Sequence, residues 1–186
     1  MKKIILIALM FFSLDGYSQK FSVTPEGLKD SLNIDKSYIV INIEGKTAKD
    51  LYESIIKYIN VTYKNPKEVL KGNVENEFIS FETYVANFPL IKNGYAKMNI
   101  GTKYLTTLSF RDGKIKYEIS DIKMKAVDSQ YEVLFSGGAF SGYPIYNKSG
   151  ELKRKETKED IEKYFNNNIK NIFDYVSGKS KTNEGW

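Results

Sequence analysis

Leu105–Ile119, reading LTTLSFRDGKIKYEI, is the stretch that decides the fold. Two alternating runs flank Arg111-Asp112-Gly113-Lys114, and Asp-Gly between such runs signals a β-hairpin, because both central residues tolerate positive φ. The first arm reaches back to Tyr95 and ends at Phe110, and the second returns from Ile115. On the return arm Ile115, Tyr117 and Ile119 share one face at odd positions, whereas Ile122, Met124 and Ala126 continue at even positions. Side chains alternate with period two along a strand, so a change of parity demands an extra residue. The spacing therefore predicts a β-bulge near Ser120-Asp121, which would bend the sheet.

Outward from the hairpin, Phe78–Val85 alternates as a strand, and Glu68–Lys71 is expected to pair with it across a Gly72-Asn73 turn. Tyr38–Glu44 is β-branched and aromatic, with Ile39, Ile41 and Ile43 on its buried face. Thr47 and Asp50 then form a capping-box pair ahead of Ala48, Leu51, Tyr52, Ile55 and Ile59, an apolar stripe of helical period ending near Tyr63. Asn65-Pro66 stops that helix, since proline has no amide hydrogen to continue it. On the C-terminal side, Gln130–Phe135 reads as a further strand and Ser136–Tyr146 (SGGAFSGYPIY) as a loop.

Thr157, with Asp160 three residues on, is expected to head a long helix through Ile161, Tyr164, Phe165, Ile169, Ile172 and Val176. Gly178 supplies its left-handed stop. At 1.5 Å per residue, about 21 residues span roughly 30 Å, the width of a small domain. The order of elements gives an α+β fold: a curved antiparallel sheet with two helices packed on one face, the longer one C-terminal.

Met1-Lys2-Lys3 precedes an apolar run from Ile4 to Phe12, with Gly16 and Ser18 behind it, the three-part pattern of a secretory signal. The run is too short to span a bilayer, which takes about 20 apolar residues. The expected organisation is a signal peptide at 1–18 cut after Ser18, one domain at 19–178 and a flexible tail at 179–186. The expected location is periplasmic or secreted, with no transmembrane segment after cleavage. The 186 residues carry 28 Lys+Arg against 23 Asp+Glu, and loss of Lys2, Lys3 and Asp15 leaves +4. The densest basic stretch, Lys153, Arg154, Lys155 and Lys158, is interleaved with acids. So weak a balance gives no nucleic-acid footprint.

The likeness carried by Tyr38–Gly45, the Thr47–Tyr63 helix, Phe78–Tyr84 and Leu105–Ile119 resembles a bacterial exported domain-of-unknown-function family with a TATA-box-binding-protein-like fold. That resemblance covers roughly residues 36–126 and, more loosely, the terminal helix. It implies a fold and an envelope address but no activity. The shape does not carry DNA binding with it, because wedging DNA needs a strongly basic concave sheet.

Chemistry is bounded by what is missing. With no His and no Cys, Ser-His-Asp and Cys-His catalysis, disulfides and thiolate metal sites are excluded. Gly137–Gly142 lacks the Lys-Ser/Thr ending of a phosphate loop, and Tyr143-Pro144 follows instead. Glu75, Glu77, Glu82, Glu118 and Asp121 remain as acid–base candidates, with Glu118 and Asp121 flanking the bulge, but their spacing shows no pair. No calcium-loop pattern occurs, and neither cofactor nor metal is expected.

The chain holds 14 Tyr and 11 Phe, side chains that fill cores and line pockets alike. A helix gripping a bent sheet leaves room for an aromatic pocket, with Tyr117, Phe135, Phe140, Tyr143 and Phe165 as the expected ligand-binding residues. The resulting expectation is a non-enzymatic envelope module binding a small apolar or amphipathic ligand. The alternative is a structural module docking an envelope protein through a strand edge or the Gly137–Tyr146 loop.

Overall fold

The computed structural model describes residues 19–93, 96–138 and 142–179. The expected signal segment, Phe140 and residues 180–186 of the expected tail lie outside the described residues. A seven-stranded sheet forms the body. Its strands are β3 (Tyr38–Asn42), β4 (Leu70–Val74), β5 (Phe78–Val85), β8 (Ile100–Arg111), β9 (Lys114–Ala126), β10 (Glu132–Gly137) and β11 (Tyr143–Asn147). They lie in the order β11-β10-β9-β8-β5-β4, with β3 also paired to β9. Two small hairpins complete the β structure: β1 (Phe21–Thr24) with β2 (Gly27–Asp30), and β6 (Ile91–Asn93) with β7 (Ala96–Met98). The helices are α1 (Ala48–Thr62), the single turn α2 (Pro66–Val69) and α3 (Lys155–Val176).

The hairpin forms as read, with Arg111 opposite Lys114. Only Gly113 takes positive φ, +70°; Asp112 does not, and its carboxylate instead accepts the Ala48 amide hydrogen at 2.8 Å, adding to the cap of α1. The bulge also falls where the parity change requires it. Between the pairs Lys103–Lys123 and Leu105–Ser120, Tyr104 alone stands opposite Asp121 and Ile122. Asp121 takes φ +51°, the left-handed geometry of one bulge class, and burial passes from Ile115, Tyr117 and Ile119 to Met124 and Ala126.

Alternation fixes which face is covered. Ile79, Phe81, Leu108, Phe110, Ile115 and Tyr117 are buried under the helices. From above, Leu51, Ile55 and Ile59 of α1 and Ile161, Phe165, Ile169, Ile172 and Val176 of α3 meet them. Each helix keeps its opposite side in water. The Thr47–Asp50 capping box is present in full. At the other end of α3, Gly178 at φ +70° closes a Schellman motif, with Gly178 N–H on Tyr175 O and Lys179 N–H on Asp174 O.

Four expectations are corrected. The strand before Phe78 is Leu70–Val74, because Pro66 starts the short α2 rather than leaving 68–71 extended; the turn moves from Gly72-Asn73 to residues 75–77. The single arm expected from Tyr95 is divided, with Ala96–Met98 pairing back on β6 and β8 starting at Ile100. The expected loop Ser136–Tyr146 contains β11, which lies parallel to β10, so the sheet is mostly rather than wholly antiparallel.

The fourth correction is at the start of α3. The helix begins at Lys155 without a side-chain cap. Thr157 and Asp160 face the chain segment ahead of β6 instead, where Asp160 accepts the Leu90 N–H at 2.9 Å and Thr157 donates to the Leu90 carbonyl at 3.3 Å.

Candidate functional site

The two helices do not close over the sheet evenly. Where α1 ends and the C-terminal half of α3 crosses β5 and β8, a cleft of about 310 Å3 remains. Tyr58, Thr62 and Tyr63 enter it from the end of α1, Tyr164, Asn168 and Asn171 from α3, and Thr83, Tyr104, Thr106 and Tyr117 from the sheet. The three α3 residues are spaced four and three apart, so they form one row beside the buried stripe. Tyr84 stands at the rim, exposed, with its ring lying over Gly101. A Cβ at Gly101 would come within 2.6 Å of the Tyr84 hydroxyl, so any larger residue displaces that ring.

The polar atoms of the cleft are ordered among themselves. The Tyr104 and Tyr164 hydroxyls share a hydrogen bond of 2.8 Å, and Asn168 Nδ2 donates to Tyr104 Oη at 3.3 Å. The Tyr63 hydroxyl and Thr83 Oγ1 are 2.7 Å apart. Ring contacts extend the frame: Tyr63 meets Phe81 edge-on at 5.7 Å, and Tyr58 meets Tyr175 at 5.3 Å. Burial pushes the Tyr63 phenol up to about 12, against a weaker opposing effect from its Thr83 bond. Burial likewise raises Tyr104 well above the ordinary tyrosine range and raises Tyr58. These phenols are neutral at physiological pH and stay so under mild alkali.

Among the described residues no Asp, Glu, Lys or Arg lines this cleft. In a chain that is 27% charged, that leaves a wall of aromatic faces, hydroxyls and carboxamides. Such a wall donates and accepts hydrogen bonds and packs apolar surface, but offers neither a counter-ion nor a side chain titrating between pH 5 and 8.

Of the residues expected to bind ligand, Tyr117 reaches the cleft floor, where it is buried with its ring 5.9 Å from Phe21. Phe165 lies under α3 in the solid part of the interface, 5.1 Å from the Tyr104 ring and 6.3 Å from Phe88. Phe135 packs on the core beside Gly27, outside the lining. Tyr143 meets Tyr131 edge-on at 5.7 Å, under the Arg154 guanidinium. Tyr117, Phe135, Tyr143 and Phe165 therefore do not share one site, and Phe140 lies outside the described residues. The residues missed, Tyr58, Tyr63, Tyr164, Asn168 and Asn171, lie where two helices converge.

The carboxylates are dispersed. Glu82 is bonded to Lys103 at 2.8 Å, with Lys71 at 3.7 Å, and the Lys103 bond holds its carboxyl below the usual range. It shares an open groove on the outer sheet face with Asp121 and Lys123. Glu118 pairs with Lys116 at 2.7 Å. Among the described residues no group of three or more acidic side chains is placed to hold a metal ion, and no helix is long and apolar enough to cross a membrane.

No family model matches this chain, and no curated protein is similar to it in sequence. Two solved structures are similar in fold. A DUF4468 family protein from Bacteroides ovatus shares 15% identity over 78% of this chain and 86% of its own, with a TM-score of 0.52. A TBP-like protein from Parabacteroides distasonis shares 17% identity over 75% and 90%, with a TM-score of 0.49. The first likeness agrees with the α+β architecture and with the domain-of-unknown-function resemblance read from the sequence. At that identity the likeness is one of fold.

Proposed function

We propose that this chain is an exported, non-enzymatic binding module of the cell envelope that holds a small, uncharged, amphipathic ligand between its helices and its sheet. The observation that carries the reading is the cleft of about 310 Å3 whose wall, among the described residues, has six tyrosines and no charged side chain. Ligand sites run from about 300 to 1,000 Å3 and combine apolar surface with a few fixed polar groups. The Tyr104–Tyr164–Asn168 chain and the Tyr63–Thr83 pair supply those groups, already oriented by one another. The Lys2-Lys3 signal pattern supports the envelope address and the loss of residues 1–18.

Native mass spectrometry of the protein purified from its own envelope tests this. Wild type should carry a small molecule that is absent from Asn171→Trp, because Asn171 is exposed on α3 and an indole there fills the cleft without entering the core. Wild type that is always empty, or adducts equal in the two proteins, would remove the reading.

A further inference from the structure

We propose that the turn joining β2 to β3, residues 31–36, docks on the headgroup layer of an anionic lipid bilayer. The turn exposes two large aliphatic side chains one residue apart, Leu32 at 67% and Ile34 at 64%. Single apolar side chains at a surface need no explanation, but these two share the tip of a stiff turn.

The stiffness is visible in the backbone. Asp30 N–H bonds Lys36 O at 2.8 Å, Ser31 N–H bonds Lys20 O at 2.8 Å and Lys36 N–H bonds Asn33 O at 2.9 Å. Asp30 Oδ1 takes the Leu32 amide at 2.9 Å and Asn33 Oδ1 the Asp35 amide at 3.2 Å. Leu32 and Ile34 are thus held outward before any partner arrives, and docking costs little further ordering.

Charge selects the occupant. Lys20, Lys29 and Lys36 lie at the roots of the turn, and Lys116 stands 4.6 Å from the Tyr38 ring that Lys36 also approaches. Lys116 is neutralised by Glu118. Asp30, at the end of β2, is buried and committed to the Leu32 amide, which leaves Asp35 as the exposed acid of the turn.

Two aliphatics at a tip with three lysines at its base suit shallow insertion among anionic headgroups, where each lysine adds attraction. A stable protein interface needs roughly 800 Å2 per partner and aromatic or arginine anchors, and a narrow tip with neither fits it poorly. This inference does not depend on the cleft.

Flotation of the full chain with phosphatidylglycerol–phosphatidylethanolamine vesicles, and separately with phosphatidylcholine vesicles, tests it. Wild type should float with the anionic vesicles and be released by salt. Leu32→Ser/Ile34→Ser should bind about tenfold more weakly with unchanged thermal unfolding, since both side chains are exposed. Leu32→Trp should gain indole emission shifted to the blue on those vesicles, relative to its parent. No flotation of wild type, equal flotation of wild type and the double variant, or unshifted emission from Leu32→Trp would each overturn the proposal. So would equal binding to both vesicle types.

Discussion

The two halves of α3 meet the rest of the protein in opposite ways. Along the N-terminal half every neighbouring group is filled. Phe165 packs against Phe88, Tyr104 and Tyr164. Strand β1 lies along the helix flank, where Asn166 accepts the Phe21 N–H at 2.8 Å and donates to the Phe21 carbonyl at 3.0 Å. Glu162 accepts the Val23 N–H at 2.8 Å and the Ser22 hydroxyl at 3.0 Å. The edge of β1 away from β2 is thus satisfied by side chains in place of another strand, the α3 groups being joined by the Tyr146 hydroxyl of β11, which donates to the Val23 carbonyl at 2.8 Å. The C-terminal half also buries Ile169, Ile172 and Val176, but beside them Asn168 and Asn171 line open space, and Tyr164 stands where the halves meet, its ring packed on Phe88 and Phe165 and its residue also on the cleft wall. One helix therefore does two jobs: its first half sets the spacing of the layers, and its second half leaves that spacing unfilled.

The contrast breaks most visibly at Phe165. Phe165→Ala removes a fully buried ring and should cost about 3–5 kcal/mol in urea unfolding, whereas Asn171→Ala should stay within about 0.5 kcal/mol. A cost at Asn171 rivalling that at Phe165 would mean the two halves do not differ.

Alkali probes the cleft most strongly, although burial also raises Tyr146, whose hydroxyl bonds the Val23 carbonyl beside the other half of α3. The Tyr63 phenol is raised in the folded state from 10 to about 12, so the unfolded chain loses its proton first as pH rises. The stability this group contributes is complete below about pH 10 and is lost between about pH 10 and 12, a change of up to roughly 2–3 kcal/mol. Tyr58 and Tyr104 shift in the same direction. Phenolate absorbance of the folded protein should lag behind that of the urea-unfolded chain; coincident curves would place these rings in water.

Asn166→Ala should cost about 1–2 kcal/mol by leaving both Phe21 backbone groups without their partner. Amide exchange should quicken at residues 21–24 while Thr83 and Thr106 keep their protection. Smaller again, Asp160→Ala should cost about 1 kcal/mol, and the exchange it releases should appear at Leu90, whose N–H Asp160 accepts, rather than at the first turn of α3.

The same halves show what a sequence can state by itself. Parity along Ile115–Ala126 located the bulge to within a residue, because period two admits no other remedy. Thr47 and Asp50 announced a capping box and form one. Thr157 and Asp160 carry a similar spacing but bind Leu90, whose distance along the chain hides it from any local reading. The parallel β10–β11 pair was concealed for a related reason: SGGAFSGYPIY has loop composition, and its strand character comes from the neighbour it lies against.

The cleft was half legible. The sequence counts Tyr164 within the helical period of α3 and does not mark it, with Asn168 and Asn171, as a row beside the apolar stripe. That row meets Tyr58 and Tyr63 only because the ends of α1 and α3 converge over one pair of strands. Phe165 and Tyr117 have the composition of a pocket wall, yet Phe165 belongs to the packed half.

Amide NMR of the isotope-labelled protein, titrated with the small molecules extracted from wild-type preparations of the same protein, tests the account most directly. Shifts confined to Thr62, Thr83, Thr106, Tyr164, Asn168 and Asn171 and their chain neighbours, with residues 21–24 and 155–161 unmoved, are the predicted result. Shifts concentrated on β1 and the first half of α3, or none at saturating ligand, would contradict it.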